Sequence, residues 1–232
     1  MLTPLFKHYE RGDAFTDPNI PRLAKEESLQ RYRLAAAYSA GKTVLDVGCG
    51  YGYGSYMLSL NARRVVGIDE DKEPIQTAKT RYRRKNLDFH QAEAIDYLSC
   101  SQRYDLVVMF EVIEHVARQD CLLGLVQRAL NGGGTLLLST PNRRYTPFYR
   151  RNPYHVHEFF PRELLNLVEK YFTVEHCYGQ VPGRLVLVPL PWFLLMRIVE
   201  LLPNAHRFVE INSRPEKSRT MIIACKDKGH PA

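Results

Sequence analysis

Three strings in the chain hold the residue types that do chemistry. The first, Glu111-Val-Ile-Glu114-His115, offers two carboxylates and an imidazole at spacings i, i+3 and i+4, which share a face if the backbone is helical. Acids with imidazole suit a hard or borderline divalent ion such as Mg²⁺, Mn²⁺ or Zn²⁺. Without a metal, His115 has the pKa range of a general base and Glu111 would orient the loop. The second string, residues 152–159, adds His155, His157 and Glu158, and the loop before it interleaves Arg143, Arg144, Arg150 and Arg151 with Tyr145, Phe148 and Tyr149. Arginine forks beside aromatic faces suit phosphate, carboxylate or stacked rings, and a solvated basic loop reads the same way. The third string places glycines at 48, 50, 52 and 54 after the apolar run Val44–Val47, which carries one acid, Asp46.

These side chains need elements to hold them. An apolar β-branched run followed by glycines and a helical pattern is a buried parallel strand feeding a turn and a helix N-terminus, where the backbone approaches a ligand closely and free N–H groups meet an anion. The dinucleotide fingerprint G-x-G-x-x-G is not met, because its third glycine would fall at Tyr53. Further strands are predicted at 65–69, 87–91, 104–110, 135–140, 172–178 and 220–225, with helices at 22–38, 55–60, 74–84, 119–130 and 163–170. Strands alternating with helices call for a doubly wound α/β sheet, closed by a late antiparallel pair. Asp69 ends the second strand about 20 residues past the glycine turn, where a carboxylate accepts ribose hydroxyls. Glu70 and Asp71 leave that assignment open by a residue. Phe110 ends the fourth strand and lines the same cleft. The helix at 22–38 lies before the first strand and reads as either a lid over the cleft or a packing helix.

The sequence is 232 residues, 45% hydrophobic, with a net charge of +7. That length buries a full core, and the charge leans toward an anionic partner or a solubilising surface. Five scattered cysteines with no paired spacing fit a reducing cytoplasm, and the first residues show no signal pattern. An insertion at about 181–215 contains the most apolar stretch, 185–202, interrupted by Pro189, Pro191, Arg197 and Glu200. It is too broken to span a bilayer and must be covered by its own domain, a second copy, a greasy substrate or a membrane surface.

The turn Asp46-x-Gly48-x-Gly50-x-Gly52 resembles motif I of the class I S-adenosylmethionine (SAM) methyltransferases, whose Rossmann-like sheet has seven strands with a reversed last one. The resemblance covers about residues 22–180. It implies that Gly48, Cys49 and Gly50 hold the methionine end of SAM, that Asp46 orders the loop, that Asp69 or Glu70 binds the ribose, and that Glu93 and Ala94 read the adenine. E-x-x-E-H strings serve as metal sites in the quinone-ring O-methyltransferases and the small-RNA 2′-O-methyltransferases, though not in every enzyme that has one. The RNA enzymes add a later histidine in an H-x-x-E-aromatic setting, matched here by His155, Glu158 and Phe159. This implies a ligand set of Glu111, Glu114, His115 and His155, with His115 or His155 taking the acceptor proton.

The combination of arginine–tyrosine at 31–32, the glycine turn, E-x-I-E-H, S-T-P-N at 139–142 and N-P-x-H-V-x-E-F is similar to bacterial proteins of surface-glycan and glycolipid assembly. The expectation is therefore a SAM-dependent O-methyltransferase acting on a sugar, glycolipid or related small acceptor bearing an anionic group. It is placed in the cytoplasm or at the membrane periphery. Residues 1–40 form an arm and helix over the cleft, and 41–232 the catalytic domain. Transfer to RNA ribose and a non-catalytic SAM-binding subunit are the alternatives, and residues 185–202 are expected to mediate membrane contact or homodimerisation.

Overall fold

The computed structural model describes residues 20–100, 102–145, 152–182 and 192–229, together with 13, 16, 18 and 190. Helix α1 (Arg22–Ser39) precedes strand β1 (Thr43–Val47), and the chain then alternates: α2 (Tyr53–Ser59), β2 (Arg64–Asp69), α3 (Lys72–Arg81), β3 (Leu87–Gln91), α4 (Ala94–Leu98), β4 (Tyr104–Phe110), α5 (Gln119–Ala129) and β5 (Leu130–Pro141). After α6 (Pro161–Val168) come β6 (Phe172–Pro182), α7 (Trp192–Val199), the two-residue β7 (Ile211–Asn212) and β8 (Ser218–Asp227). One mixed sheet runs β3-β2-β1-β4-β5-β8-β6-β7. β1 to β5 pair in parallel, whereas β8 is antiparallel to both β5 and β6.

The sheet thus has eight strands rather than the predicted seven. The extra one, β7, lies in the insertion, and its two residues pair with Gly179 and Gln180. Two residues carry no detectable alternation, so no sequence pattern marks them. Helix α4 also went unpredicted: at five residues it is too short to show a period.

Alternation along the strands sorts the core into two layers. From β4, Val107 and Met109 join Leu122, Val126, Leu164 and Val168 on the face covered by α5 and α6. Leu106, Val108 and Phe110 point to the opposite face, where Tyr32, Ala35, Leu58, Ile75 and Ala78 of α1, α2 and α3 cover them. A sheet buried on both sides explains the near-continuous apolar runs of β1 and β4. The strand order reverses between β1 and β4, the switch point outside whose carboxyl ends open α/β sheets bind ligands.

The insertion divides. On α7, Leu195, Met196 and Val199 are buried with Leu23, Val181 and Val209 in a third cluster, so Leu195 belongs to the core, not to an association surface. The predicted apolar residues at 185–189 and 191 lie outside the described residues. Among those described, no helix is long and apolar enough to cross a membrane.

Candidate functional site

The turn after β1 takes its shape from two backbone demands. Gly50 has φ +51°, in the left-handed region, and a side chain there would project into open space. At Gly54 a Cβ would lie 2.0 Å from the Tyr32 ring, so only glycine lets α1 seat that tyrosine against α2. The Tyr32 hydroxyl donates to both Asp46 oxygens at 3.1 and 3.3 Å, and Ser55 Oγ donates to Asp46 Oδ2 at 2.6 Å. Burial pushes the Asp46 carboxyl up to about 7; the two hydroxyl bonds oppose that shift and the Asp69 charge adds to it.

Asp69, at the end of β2, accepts from Gly50 N at 2.8 Å through Oδ2 and from Asp71 N at 3.0 Å through Oδ1. Burial raises its pKa, and these N–H bonds pull it back. A carboxylate has about four acceptor sites, so ribose hydroxyls and the two amides can share it.

A cavity of about 610 Å³ opens at the switch point. Of the predicted cofactor residues, Gly48, Cys49, Gly50, Asp69, Glu70, Glu93, Ala94 and Phe110 line it. Asp46 does not; it sits behind the turn and holds Tyr32 and Ser55, as an acid that orders the loop would. Glu93 is the N-cap of α4, its Oε2 accepting from Asp96 N at 2.9 Å, and Ala94 opens that helix.

The acidic–imidazole end is arranged differently from the helical reading. Glu111 has φ +55°, and only Ile113–His115 form a single 3₁₀ turn. Residues 111–115 therefore share no α-helical face. Glu111 leaves β4 with its N–H on Ser139 O, and its Oε1 accepts from Ser139 Oγ at 2.7 Å. Glu114, His115 and His155 nonetheless converge: a ligand atom from each lies within 4.8 Å of the others, and Glu111 is outside that group.

Loop 152–158 brings His155 there by docking on the 3₁₀ turn, since the amides of Val156 and His157 both donate to Glu114 O. His115 Nδ1 is 3.1 Å from Tyr154 O, a partner that only accepts, so it carries the proton. His155 Nδ1 is 2.7 Å from Glu158 Oε1. The two rings meet edge to face with centroids 4.8 Å apart. Each ring is thus oriented through its Nδ1.

Glu114 is fully buried; its Oε2 accepts from Thr140 Oγ1 at 3.0 Å, and its Oε1 has no hydrogen-bond partner among the described residues. Burial, and then the Glu111 charge, push its pKa well above the ordinary carboxylate range. A buried carboxylate oxygen left over beside two imidazoles is what a divalent cation or a proton-accepting site would use, so the donor set fits a metal.

A charged network missed by sequence reasoning closes the far wall. Glu27 of α1, buried at 2% exposure, accepts from Arg219 Nη2 at 3.0 Å and from Thr220 Oγ1 at 3.3 Å, and lies 3.4 Å from Arg31 Nη1. Arg31 Nη1 also donates to Gln180 Oε1 at 2.8 Å. Burial works against the Arg31 cation, but Glu111 and Glu27 outweigh it and hold its pKa above the usual value. Glu27, Arg31 and Arg219 all line the cavity. The helix is thus tied to β6 and β8 by hydrogen bonds. In the sequence Arg31 stands out only as part of an arginine–tyrosine pair, and nothing marks Glu27.

A doubly wound sheet with a glycine turn at its switch point, an acid behind that turn and another closing β2 defines a nucleotide-type cofactor site of the SAM-binding class. The chain belongs to the methyltransferase domain family, whose model matches residues 38–182. It is 36% identical over 176 residues, 71% of this chain and 66% of the relative, to a probable S-adenosylmethionine-dependent methyltransferase of Mycolicibacterium smegmatis. It is also 32% identical over 111 residues, 47% of each chain, to the ubiquinone biosynthesis O-methyltransferase of Vibrio atlanticus.

The chain spans between 47% and 66% of the length of these curated relatives. Among solved structures, the N-methyltransferase NodS of Bradyrhizobium japonicum, in complex with S-adenosyl-L-homocysteine, superposes with a TM-score of 0.67 at 15% identity, covering 98% of both chains. At that identity the likeness speaks for the fold. SAM is the cofactor of these methyltransferases, and the space beside Gly50 in the cavity is open.

Proposed function

We propose that this chain methylates a hydroxyl oxygen of a small acceptor, a sugar, glycolipid or related molecule, with a divalent cation held by Glu114, His115 and His155. The observation that carries the reading is the convergence of those three groups on the cofactor cavity, with both Nδ1 atoms engaged and Glu114 Oε1 left without a partner among the described residues. SAM, when bound, supplies an activated methyl group, so the protein's task is alignment and removal of one proton. Asp69 and Gly50 hold the ribose and methionine ends, and Tyr32 and Phe110, in edge-to-face contact at 5.3 Å, back the cleft. His115 and His155 stand where the acceptor hydroxyl must lose its proton, and a cation there would lower that hydroxyl's pKa. Arg31 and Arg219 on the far wall suit an acceptor with an anionic group, though Glu27 and Glu111 balance much of their charge.

The relatives support methyl transfer; oxygen as the acceptor atom rests on the ligand cluster and on the name of the ubiquinone relative, and the sugar or glycolipid class rests on the sequence resemblance alone. The test is incubation with methyl-labelled SAM and fractionated extract. Base-stable label in lipid-linked glycan or small hydroxylated acceptors, lost on chelation, is the expected result. Label in RNA or on amines would overturn the acceptor, and turnover unaffected by chelator would overturn the metal.

A further inference from the structure

Helix α7 shows two faces. Leu195, Met196 and Val199 are buried against Leu23 of α1. On the other side, Leu194, Ile198, Leu201 and Leu202 are exposed at 42, 49, 84 and 45% of their surface. Leu194 and Ile198, at i and i+4, share the outer face of the helix, and Leu201 and Leu202 continue the exposed apolar stripe in the turn that follows it. Glu200 Oε1 accepts from Leu23 N at 2.8 Å and fixes the helix from beneath, whereas Arg197, exposed on the same helix, donates through Nη2 to Pro18 O at 3.1 Å. The stripe is therefore held outward by a packed underside, and it contributes nothing to the cavity chemistry.

We propose that this stripe is a docking surface for an anionic lipid bilayer, into whose headgroup region the four side chains insert. Three features on the molecule select that occupant. First, the stripe lies among cations: Arg197 is exposed on the same helix, and His206 and Arg207 follow within five residues of Leu202. The nearby exposed acid, Glu210, is 3.9 Å from His206, and the chain as a whole carries +7. Second, four partly exposed side chains supply at most a few hundred Å² of apolar surface, below the roughly 800 Å² that each partner of a stable interface buries. A second copy of the chain would need more contact than the stripe gives. Third, a helix with one packed face and one apolar face edged by arginine is the arrangement that lies in an interface plane without spanning it.

The surface also adjoins the site. Leu23 lies under α7, whereas Ile20, Ala24 and Glu27 of the same segment line the cavity. A bilayer-bound α7 would hold the cavity beside the membrane surface, within reach of an amphiphilic acceptor. The docking proposal stands whether or not that acceptor class is right.

The test uses the full chain with vesicles of phosphatidylcholine alone or mixed with phosphatidylglycerol, read by co-sedimentation. Binding to the anionic vesicles that weakens with salt is expected. Ile198→Glu with Leu201→Glu should lower the partition coefficient by about ten-fold or more, and Arg207→Glu by several-fold, with SAM affinity unchanged. Binding of the unaltered protein to the two kinds of vesicle needs no variant to fold. Absence of binding to either vesicle, or equal binding by the double variant, would each overturn the proposal. So would light scattering that shows a dimer which the double variant breaks, with no vesicle binding.

Discussion

The Tyr32 hydroxyl donates to the Asp46 carboxylate from a helix that precedes the strand carrying the acid, at 3.1 and 3.3 Å. This bond ties α1 to the glycine turn, and it does so around a carboxyl whose pKa burial has raised to about 7. The stability consequence has a definite sign. Below about pH 4 the acid is protonated in both folded and unfolded chains and contributes no pH dependence. As pH rises toward 7 the unfolded chain ionises freely while the folded one resists, so stability falls, and the loss levels off above 7. The difference is on the order of 4 kcal/mol. Asp46→Asn keeps the shape and hydrogen-bonding capacity but not the charge. The variant without cofactor should melt no lower than the parent at pH 8, with a difference that shrinks toward pH 5. Thermal melts across that range decide it; an Asn variant much less stable at pH 8 would mean that the charge itself is needed.

Asp69 accepts from the turn amides of Gly50 and Asp71, and the proposed function adds the ribose. Asp69→Ala should weaken SAM binding by roughly 1–3 kcal/mol, because it removes a charged acceptor from buried hydroxyls and from Gly50 N. Calorimetry measures this directly. If Asp69→Ala binds normally and Glu70→Ala does not, the ribose contact belongs to the neighbouring residue.

Glu27 predicts a stability effect out of proportion to an acid on a helix. It faces Arg31 and Arg219 in the interior, so Glu27→Ala leaves two guanidinium groups without their carboxylate and should cost roughly 3–5 kcal/mol. Denaturant unfolding would show it, and a loss under 1 kcal/mol would mean that water or the cavity compensates the arginines. Glu27→Gln, which keeps an acceptor, should lose less.

These residues mark the division between what the sequence carries and what only the fold supplies. The strands at 87–91 and 104–110 are read to the residue, because the apolar alternation of Leu87 and Phe89 and the apolar run 106–110 are local signals. The glycine turn and Asp69 are likewise local. The Glu27 network is local only in its i,i+4 pair with Arg31; its partners on β6 and β8 are 149 to 193 positions away, and no spacing rule reports a pairing at that separation. The cluster of Glu114, His115 and His155 falls between the two. Its members were legible by type, but the reason given, a helical face from Glu111 to His115, was mistaken. A left-handed Glu111 followed by one 3₁₀ turn replaces it, and Glu111 turns to Ser139 instead. Convergence comes from loop 152–158 settling on the Glu114 carbonyl, a tertiary contact with no sequence period.

The metal can be tested separately from the cofactor. Glu114 is the cluster's buried acid, and the Glu158 carboxylate stands 2.7 Å behind the His155 ring. A carboxylate in that position fixes the ring and raises its basicity, and its loss typically costs about 10–100-fold in metal affinity. Glu114→Gln should abolish measurable binding of Mn²⁺ or Zn²⁺ by calorimetry, whereas Glu158→Gln should retain weakened binding. SAM affinity should change little in either, because the ribose and methionine contacts lie at Asp69 and the glycine turn. Chelated parent protein should turn over as poorly as Glu114→Gln, with activity returning on addition of the ion. A metal-stripped sample with full activity would leave His115 as a metal-free base held by Tyr154 O, and Glu158→Gln would then act only through the orientation of His155.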